Sequence, residues 1–278
     1  MLRTACILPA RLEASRLPRK LLLKRSGKYV IQHVHERIQG LGVARVVIAT
    51  DSEEILAAAR EFGAEALMTD PGHQSGTDRV AEAARLLADD SLELIVNVQG
   101  DEPEIDPEHV QRLIRPWSRA THGDPGRAPR PRRLGALPGG QLVRDAAGYA
   151  LYFSRAPIPA GALEPGSPVH PLRHVGVYAF RPDFLQAFCK LDPAPLERVE
   201  RLEQLRALYH GHRIRVAVVE ASGARGIDTP EDHERFLARL TEQRGRHHEE
   251  REVSRTPRRP DQAHLRHRRR RSRPWARA

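Results

Sequence analysis

The 278 residues carry 46 Lys+Arg against 36 Asp+Glu, a formal net charge of +10, but the excess is local: residues 243–278 hold 13 Arg against 4 acids and residues 118–140 hold 5 Arg against 1 Asp, leaving −3 for the rest. The high pI therefore does not mark the whole protein as a binder of nucleic acid or anionic membrane. Cys6 and Cys189, far apart and in no C-x-x-C context, exclude a disulfide framework or a Cys-rich zinc site; no apolar run approaches the roughly 20 residues of a membrane span, and the first residues lack a signal-peptide pattern, so a cytoplasmic protein is expected.

From the start of the chain, 4–8 is a short apolar run closed by Pro9, a first strand. A helix is expected over 30–40, with Ile31, Val34 and Ile38 on one face and Gly40 or Gly42 as its stop. Residues 45–49 read as a buried parallel strand ending at Thr50 and Asp51, and 53–61 as an Ala-rich helix with Ser52 as N-cap. Strands at 64–68 and 93–98 alternate with helices at 78–87 and 107–114, the last opened by Asp106 with Pro107 at its first position. This alternation implies an α/β fold, a three-layer α/β/α arrangement around a mixed, mainly parallel sheet. Ligands of such sheets gather at the carboxyl ends of the strands, here Pro9-Ala10-Arg11, Thr50-Asp51 and Gln99-Gly100-Asp101.

Residues 118–140, with four Pro, five Gly, five Arg and no periodic apolar face, read as an irregular surface insertion. Strands are expected again at 150–155, 173–180 and 213–219, and helices over 196–209 and from 230 to about 240. Beyond 243 the Arg, His and Pro content reads as a disordered tail, so the organisation is a domain of 1–242 followed by a tail of 243–278. Both basic segments begin abruptly, as out-of-frame reading of a GC-rich gene would produce.

Three clusters carry chemistry. Residues 11–20 follow the first strand and hold four cations, Arg11, Arg16, Arg19 and Lys20, which suits a triphosphate, or else makes a solvated basic loop. In His73-Gln74-Ser75-Gly76-Thr77-Asp78-Arg79 the small polar residues permit close approach by a base or sugar, with Asp78 either a ligand or an N-cap. Asp101, beside Gly100 at the end of an apolar strand, is a natural ligand for a hard cation or else a cap. Asp228 has the same two readings, with capping favoured by the Thr-Pro-Glu that follows.

Seven motifs stand in order, LPARLEASRLPRK, HQSGTDR, VNVQGDEP, ALYFSRAPIP, HVGVYAF, LERVERLEQLR and GIDTPED, and the resemblance they carry extends over about residues 2–117 and 141–240. Together they resemble the 3-deoxy-manno-octulosonate cytidylyltransferase family. The resemblance implies a nucleotide-diphospho-sugar transferase fold, a cytoplasmic homodimer, and the reaction of CTP with the sugar acid (Kdo) to give CMP-Kdo and pyrophosphate for lipopolysaccharide synthesis. It implies that Arg11 and Lys20 hold the CTP phosphates, that Ser75, Thr77, Arg79 and Gln99 line the nucleotide pocket, and that Asp101 and Asp228 hold Mg²⁺. Arg155 would clamp the Kdo carboxylate, with His174, Tyr178, Glu203 and Gln204 on its hydroxyls. The catalytic set is then Arg11, Lys20, Asp101 and Asp228, and the nucleophile is the sugar's own anomeric hydroxyl.

The chain departs from that family in four places, one of them the tail after Gln243, which differs from the family's usual ending. Arg19 stands at a usual glycine, which costs stability if the position needs a positive φ. Tyr29 replaces a usual proline, and 118–140 replaces a usual strand. Other readings are a cytidylyltransferase for another acidic sugar such as a sialic acid, an inactive homologue, and a nucleic-acid binder acting through the tail. The HVGVYAF and LEQLR blocks argue for Kdo, and the tail has no recognised nucleic-acid motif, so neither nucleic acid nor membrane is an expected partner.

Overall fold

Eight strands run in chain order as β1 (Thr4–Ala10), β2 (Arg45–Thr50), β3 (Glu65–Met68), β4 (Leu94–Asn97), β5 (Gln141–Arg144), β6 (Ala150–Ser154), β7 (Leu172–Arg173) and β8 (Tyr178–Phe180). The helices are α1 (Val30–Gln39), α2 (Glu53–Glu61), α3 (Gly76–Leu86), α4 (Pro107–Ser118), α5 (Pro182–Phe188), α6 (Pro195–Glu200), α7 (Leu205–Tyr209) and α8 (Pro230–Arg255). The structure, a computed structural model, describes residues 2–13, 16–118, 140–167, 172–221 and 223–255. Two compact units result, Met1–Phe236 and Leu237–Ala278.

The main sheet has the order β3-β2-β1-β4-β8, parallel except for β8, which pairs antiparallel with β4 at the edge. This is the mixed, mainly parallel sheet that the β-α alternation implied. The strands lack alternation because both faces are covered: Ala5, Ile7, Val47, Ala49 and Ile95 pack with Val80 and Ala83 of α3 and Leu185 of α5, while Cys6, Leu8 and Ile48 are equally inaccessible. Each such large aliphatic side chain contributes about 1.5–3 kcal/mol by burial. Strand order reverses beside β1, because β2 lies on one side of it and β4 on the other. The carboxyl ends of β1 and β4 therefore flank the crevice where such sheets take ligands. A second, antiparallel sheet, β6-β5-β7, has its own core of Leu142, Phe153, Leu202 and Leu205.

Several expectations need correction. The single strand expected over 173–180 is two strands in two sheets, because a tight turn, closed by the Val177 N–H on the Val175 carbonyl at 2.7 Å, breaks it around Gly176. The helix expected over 196–209 divides where Arg201 adopts φ 53°, and the break brings Leu202 and Leu205 together into the second core. Residues 213–219 form no strand; Arg215 makes an isolated bridge with Tyr149, since among the described residues the backbone bonds to this segment come from Gly148 and Ala150 alone. β5 and α5 were not foreseen. α8 runs to Arg255 and crosses the boundary expected at 243, because 241–255 is rich in helix-forming Glu, Gln and Arg and the first proline comes at 257. The insertion reading of 118–140 falls, apart from its two end residues, outside the described residues, as does the tail reading for 256–278. Among the described residues no helix is long and apolar enough to cross a membrane.

Arg19 occupies the left-handed region, with φ 58° and ψ 22°, just ahead of a 3-10 turn over Lys20–Leu22. That conformation costs a side-chain-bearing residue about 1–2 kcal/mol, and the exposed pair that Arg19 makes with Glu54 returns at most about 1 kcal/mol. Arg19→Gly is therefore expected to be neutral to about 1 kcal/mol stabilising in urea unfolding, after the added freedom of glycine in the unfolded chain is counted. A loss above that size would mean that the Glu54 contact, not the backbone, decides this position.

Candidate active site

The site is assembled from three chain segments at the carboxyl edge of the main sheet. β1 delivers Pro9, Ala10 and the basic loop after it. β4 delivers Gln99, Gly100 and Asp101. Gly100 lies so close to its neighbours that a Cβ there would sit 2.8 Å from the Ile31 Cδ1 and 3.0 Å from the Pro9 carbonyl oxygen, so only glycine lets Asp101 follow directly. The third segment is 226–229: the Ile227 N–H donates to the Asp101 carbonyl at 2.8 Å and sets Asp228 alongside Asp101.

Capping of α8 falls to Thr229, not to Asp228. The Thr229 and Asp232 side chains bond each other's backbone N–H groups, the capping-box arrangement. Asp232 also accepts from the Asp228 N–H at 3.2 Å. The Asp228 carboxylate is thereby free to face the basic loop.

Lys20 joins the two carboxylates. Its Nζ is 2.5 Å from Asp101 Oδ2 and 2.9 Å from Asp228 Oδ1, with its side chain only 14% exposed. Burial alone would lower its pKa; Asp101 and then Asp228 outweigh burial, and the net shift is upward. Arg16, a loop cation with no role assigned individually from sequence, is 2.9 Å from Asp228 Oδ2. Arg11 donates to the His73 carbonyl and ties the loop after β1 to the polar loop ahead of α3. Sequence reasoning also passed over Glu102, the second acid of the GDEP motif. Burial pushes its carboxyl up to about 7, with Asp101 and Asp228 adding to the shift and Arg173 opposing it.

In the second cluster Ser75 is the N-cap of α3 and Asp78 its reciprocal partner, so Asp78 caps and does not reach outward. Thr77 donates to Glu203 Oε2 at 2.6 Å. Arg79 departs from its expected place in the nucleotide pocket. It is fully buried, with its guanidinium on Asp51 and on the Thr69 hydroxyl, and it has no surface to offer a ligand. Gln99 is half-buried, with its Cγ 3.8 Å from where a Cβ on Gly176 would stand.

The residues expected on the sugar group around the second sheet and Tyr178 of β8, the edge strand of the main sheet. Tyr178 and His174 share a hydrogen bond of 2.5 Å, and the His174 ring meets Phe153 edge-on. Arg155 is exposed and donates to the carbonyls of Glu200 and Arg201, which holds the α6–α7 turn beside β6. That turn carries Glu203 and Gln204. Glu203 Oε1 and Gln204 Nε2 are both buried without a hydrogen-bond partner among the described residues, a costly arrangement that a polyhydroxylated ligand would relieve. Burial pushes the Glu203 carboxyl up, against the Thr77 and Ser75 hydroxyls, and also pushes up the Tyr178 phenol.

His174 is pushed down to about 4 by burial and by the charges of Arg155 and Arg173. Between pH 6.5 and about 4 the unfolded chain therefore takes up a proton that the folded chain refuses. Stability from this group is complete above pH 6.5 and falls as pH drops through that window. Urea midpoints measured at pH 7 and pH 5 should converge in His174→Gln relative to the parent; an unchanged pH dependence would clear His174 of the effect.

Asp101 and Asp228 present hard oxygen donors that converge on one cation, here an ammonium, and so fit a divalent ion of the Mg²⁺ type. Among the described residues no group of three or more His, Cys, Asp or Glu could hold a metal. The remaining ligands would be phosphate oxygens and water, as is usual for Mg²⁺.

A family profile described as cytidylyltransferase matches residues 5–214. A protein of Anaeromyxobacter sp. (strain Fw109-5) named 3-deoxy-manno-octulosonate cytidylyltransferase is 47% identical over 245 residues, covering 86% of this chain and 98% of that one. One of the same name from Halorhodospira halophila is 43% identical over 252 residues, covering 84% and 95%. A solved structure of a CMP:2-keto-3-deoxy-manno-octonic acid synthetase complexed with CTP has a TM-score of 0.76 at 36% identity, covering 87% of this chain and 99% of that chain.

Proposed function

The chain belongs to the cytidylyltransferase family, and from that premise we propose that it transfers CMP from CTP to the anomeric hydroxyl of 3-deoxy-manno-octulosonate. The sugar oxygen forms a bond to the α-phosphorus, the bond from that phosphorus to the bridging oxygen breaks, pyrophosphate departs and the hydroxyl proton is released. The observation that carries this reading is the meeting of Asp101, Asp228 and Lys20 in one ion cluster, because it joins a phosphate-attracting loop to a pair of hard-cation ligands.

Arg11 and Lys20 hold the triphosphate and offset the charge that builds on the leaving pyrophosphate. Asp101 and Asp228 would hold Mg²⁺, which when bound supplies Lewis-acid polarisation at phosphate oxygens. Ser75, Thr77 and Gln99 lie toward the nucleotide. Arg155 faces the sugar carboxylate. His174, Tyr178, Glu203 and Gln204 face its hydroxyls, a placement supported by the Glu203 and Gln204 atoms that lack a hydrogen bond among the described residues. In this reading the enzyme works in the cytoplasm, its product serves lipopolysaccharide synthesis, and it acts as a homodimer, for which the exposed Leu151 and Val199 offer apolar surface.

Incubating the purified chain with CTP, Kdo and Mg²⁺ should release pyrophosphate in a manner dependent on all three. Release with a sialic acid but not with Kdo would move the assignment to that sugar, and no release with either would overturn it.

A further inference from the structure

We propose that Lys20 is an internal counter-ion of the resting site: its ammonium holds the position a divalent cation would take between Asp101 and Asp228, so that metal binds weakly until nucleotide draws the ammonium away. The inference rests on the reading of Asp101 and Asp228 as the metal-holding pair, and concerns what occupies that pair beforehand.

Three observations support it. A single ammonium is within hydrogen-bonding distance of both carboxylates, and Arg16 covers the second oxygen of Asp228, so two negative charges already face two positive ones. A dication added to that cluster would meet cations where it needs anions. The backbone under Lys20 is fixed, by the Leu22 N–H on the Arg19 carbonyl at 2.9 Å, the Leu23 N–H on the Lys20 carbonyl at 3.3 Å and the burial of Leu21. Only the flexible four-carbon stem needs to move for Nζ to change partners. A triphosphate, with about four negative charges, provides the alternative partner for both loop cations. Once Lys20 and Arg16 turn to phosphate, the carboxylates regain their full charge. Metal and nucleotide affinities are then linked, each raising the other by the same factor.

Mn²⁺ binding to the full chain, followed by electron paramagnetic resonance without nucleotide, tests this independently of turnover. Lys20→Met should bind Mn²⁺ at least about tenfold more tightly than the parent, within the range usual for coupled sites, and Lys20→Arg, which keeps the charge, should not. If Lys20→Met does not fold, Lys20→Gln takes its place with the same expectation. Adding Asp228→Asn to Lys20→Met should abolish the gain. Equal Mn²⁺ affinity in the parent and Lys20→Met overturns the counter-ion role, and if Asp228→Asn still weakens Mn²⁺ binding in the parent, the metal assignment survives that failure. A gain that persists with Asp228→Asn present overturns both.

Discussion

Asp228→Asn is expected to slow pyrophosphate release from CTP and Kdo by about a hundred- to a thousandfold, the scale on which loss of one group that stabilises developing charge is felt, while leaving the fold intact. The two halves of that expectation have separate causes. The Asp228 side chain is 46% exposed and among the described residues makes ion pairs only with Lys20 and Arg16, so neutralising it costs little. Its backbone is held by groups the substitution does not touch, the Ile227 N–H on the Asp101 carbonyl and the Asp228 N–H on Asp232. A stability change below about 1 kcal/mol moves the melting temperature of a chain this size by no more than about 2–4 °C. Function depends on the charge itself, because asparagine keeps one carbonyl oxygen but not the attraction for a cation. Thermal unfolding and a pyrophosphate assay on the same preparation separate the two effects. A near-parental rate would remove Asp228 from the catalytic set, and a collapse in melting temperature would make it a structural residue.

The same separation explains what could be read from the chain beforehand. β1, β2 and β4 were legible because a strand buried on both faces is a continuous apolar run, and α2 was bounded correctly because Ser52 accepts from the Ile55 N–H, a local cap with a local signature. β7 and β8 look like one alternating strand because alternation reports that a segment is extended, not which sheet it joins; the departure from one sheet to the other depends on a turn closed by backbone groups at 175 and 177. β5 is four residues long and adjoins 118–140, where no apolar pattern leads into it. In the site, the family motifs pointed to Lys20, Asp101 and Asp228 one at a time. Their mutual contacts arise from residues 81 and 208 positions apart and have no local trace. Capping of α8 shows how narrow the margin was: Thr229-Pro230-Glu231-Asp232 contains the whole box, so the cap lay one residue beyond the aspartate to which it was first given.

Arg79 is the residue for which chemistry and position disagree most, and its expected behaviour is correspondingly large. An arginine in a polar motif reads as a cation for phosphate or base. In the fold it is completely inaccessible, bonded to Asp51 at the end of β2 and, at 2.6 Å, to the Thr69 hydroxyl, which in turn donates to the Thr50 carbonyl at 3.0 Å. The two partners are not equally buried: the Arg79 side chain is 0% exposed and that of Asp51 18%. Asp51→Ala therefore strands a charge with no access to water and should cost about 3–5 kcal/mol. Arg79→Met leaves a carboxylate that can rehydrate and fills the space with a flexible apolar chain, at about 1–2 kcal/mol. The double substitution removes both charges and should be more stable than Asp51→Ala alone, a reversal that a urea-unfolding double-mutant cycle reads directly. At a temperature where Arg79→Met remains folded, its KM for CTP should match the parent's. A tenfold rise in that KM with stability unchanged would return Arg79 to the nucleotide pocket; the predicted pattern makes it the buried brace that holds the end of β2 against the start of α3.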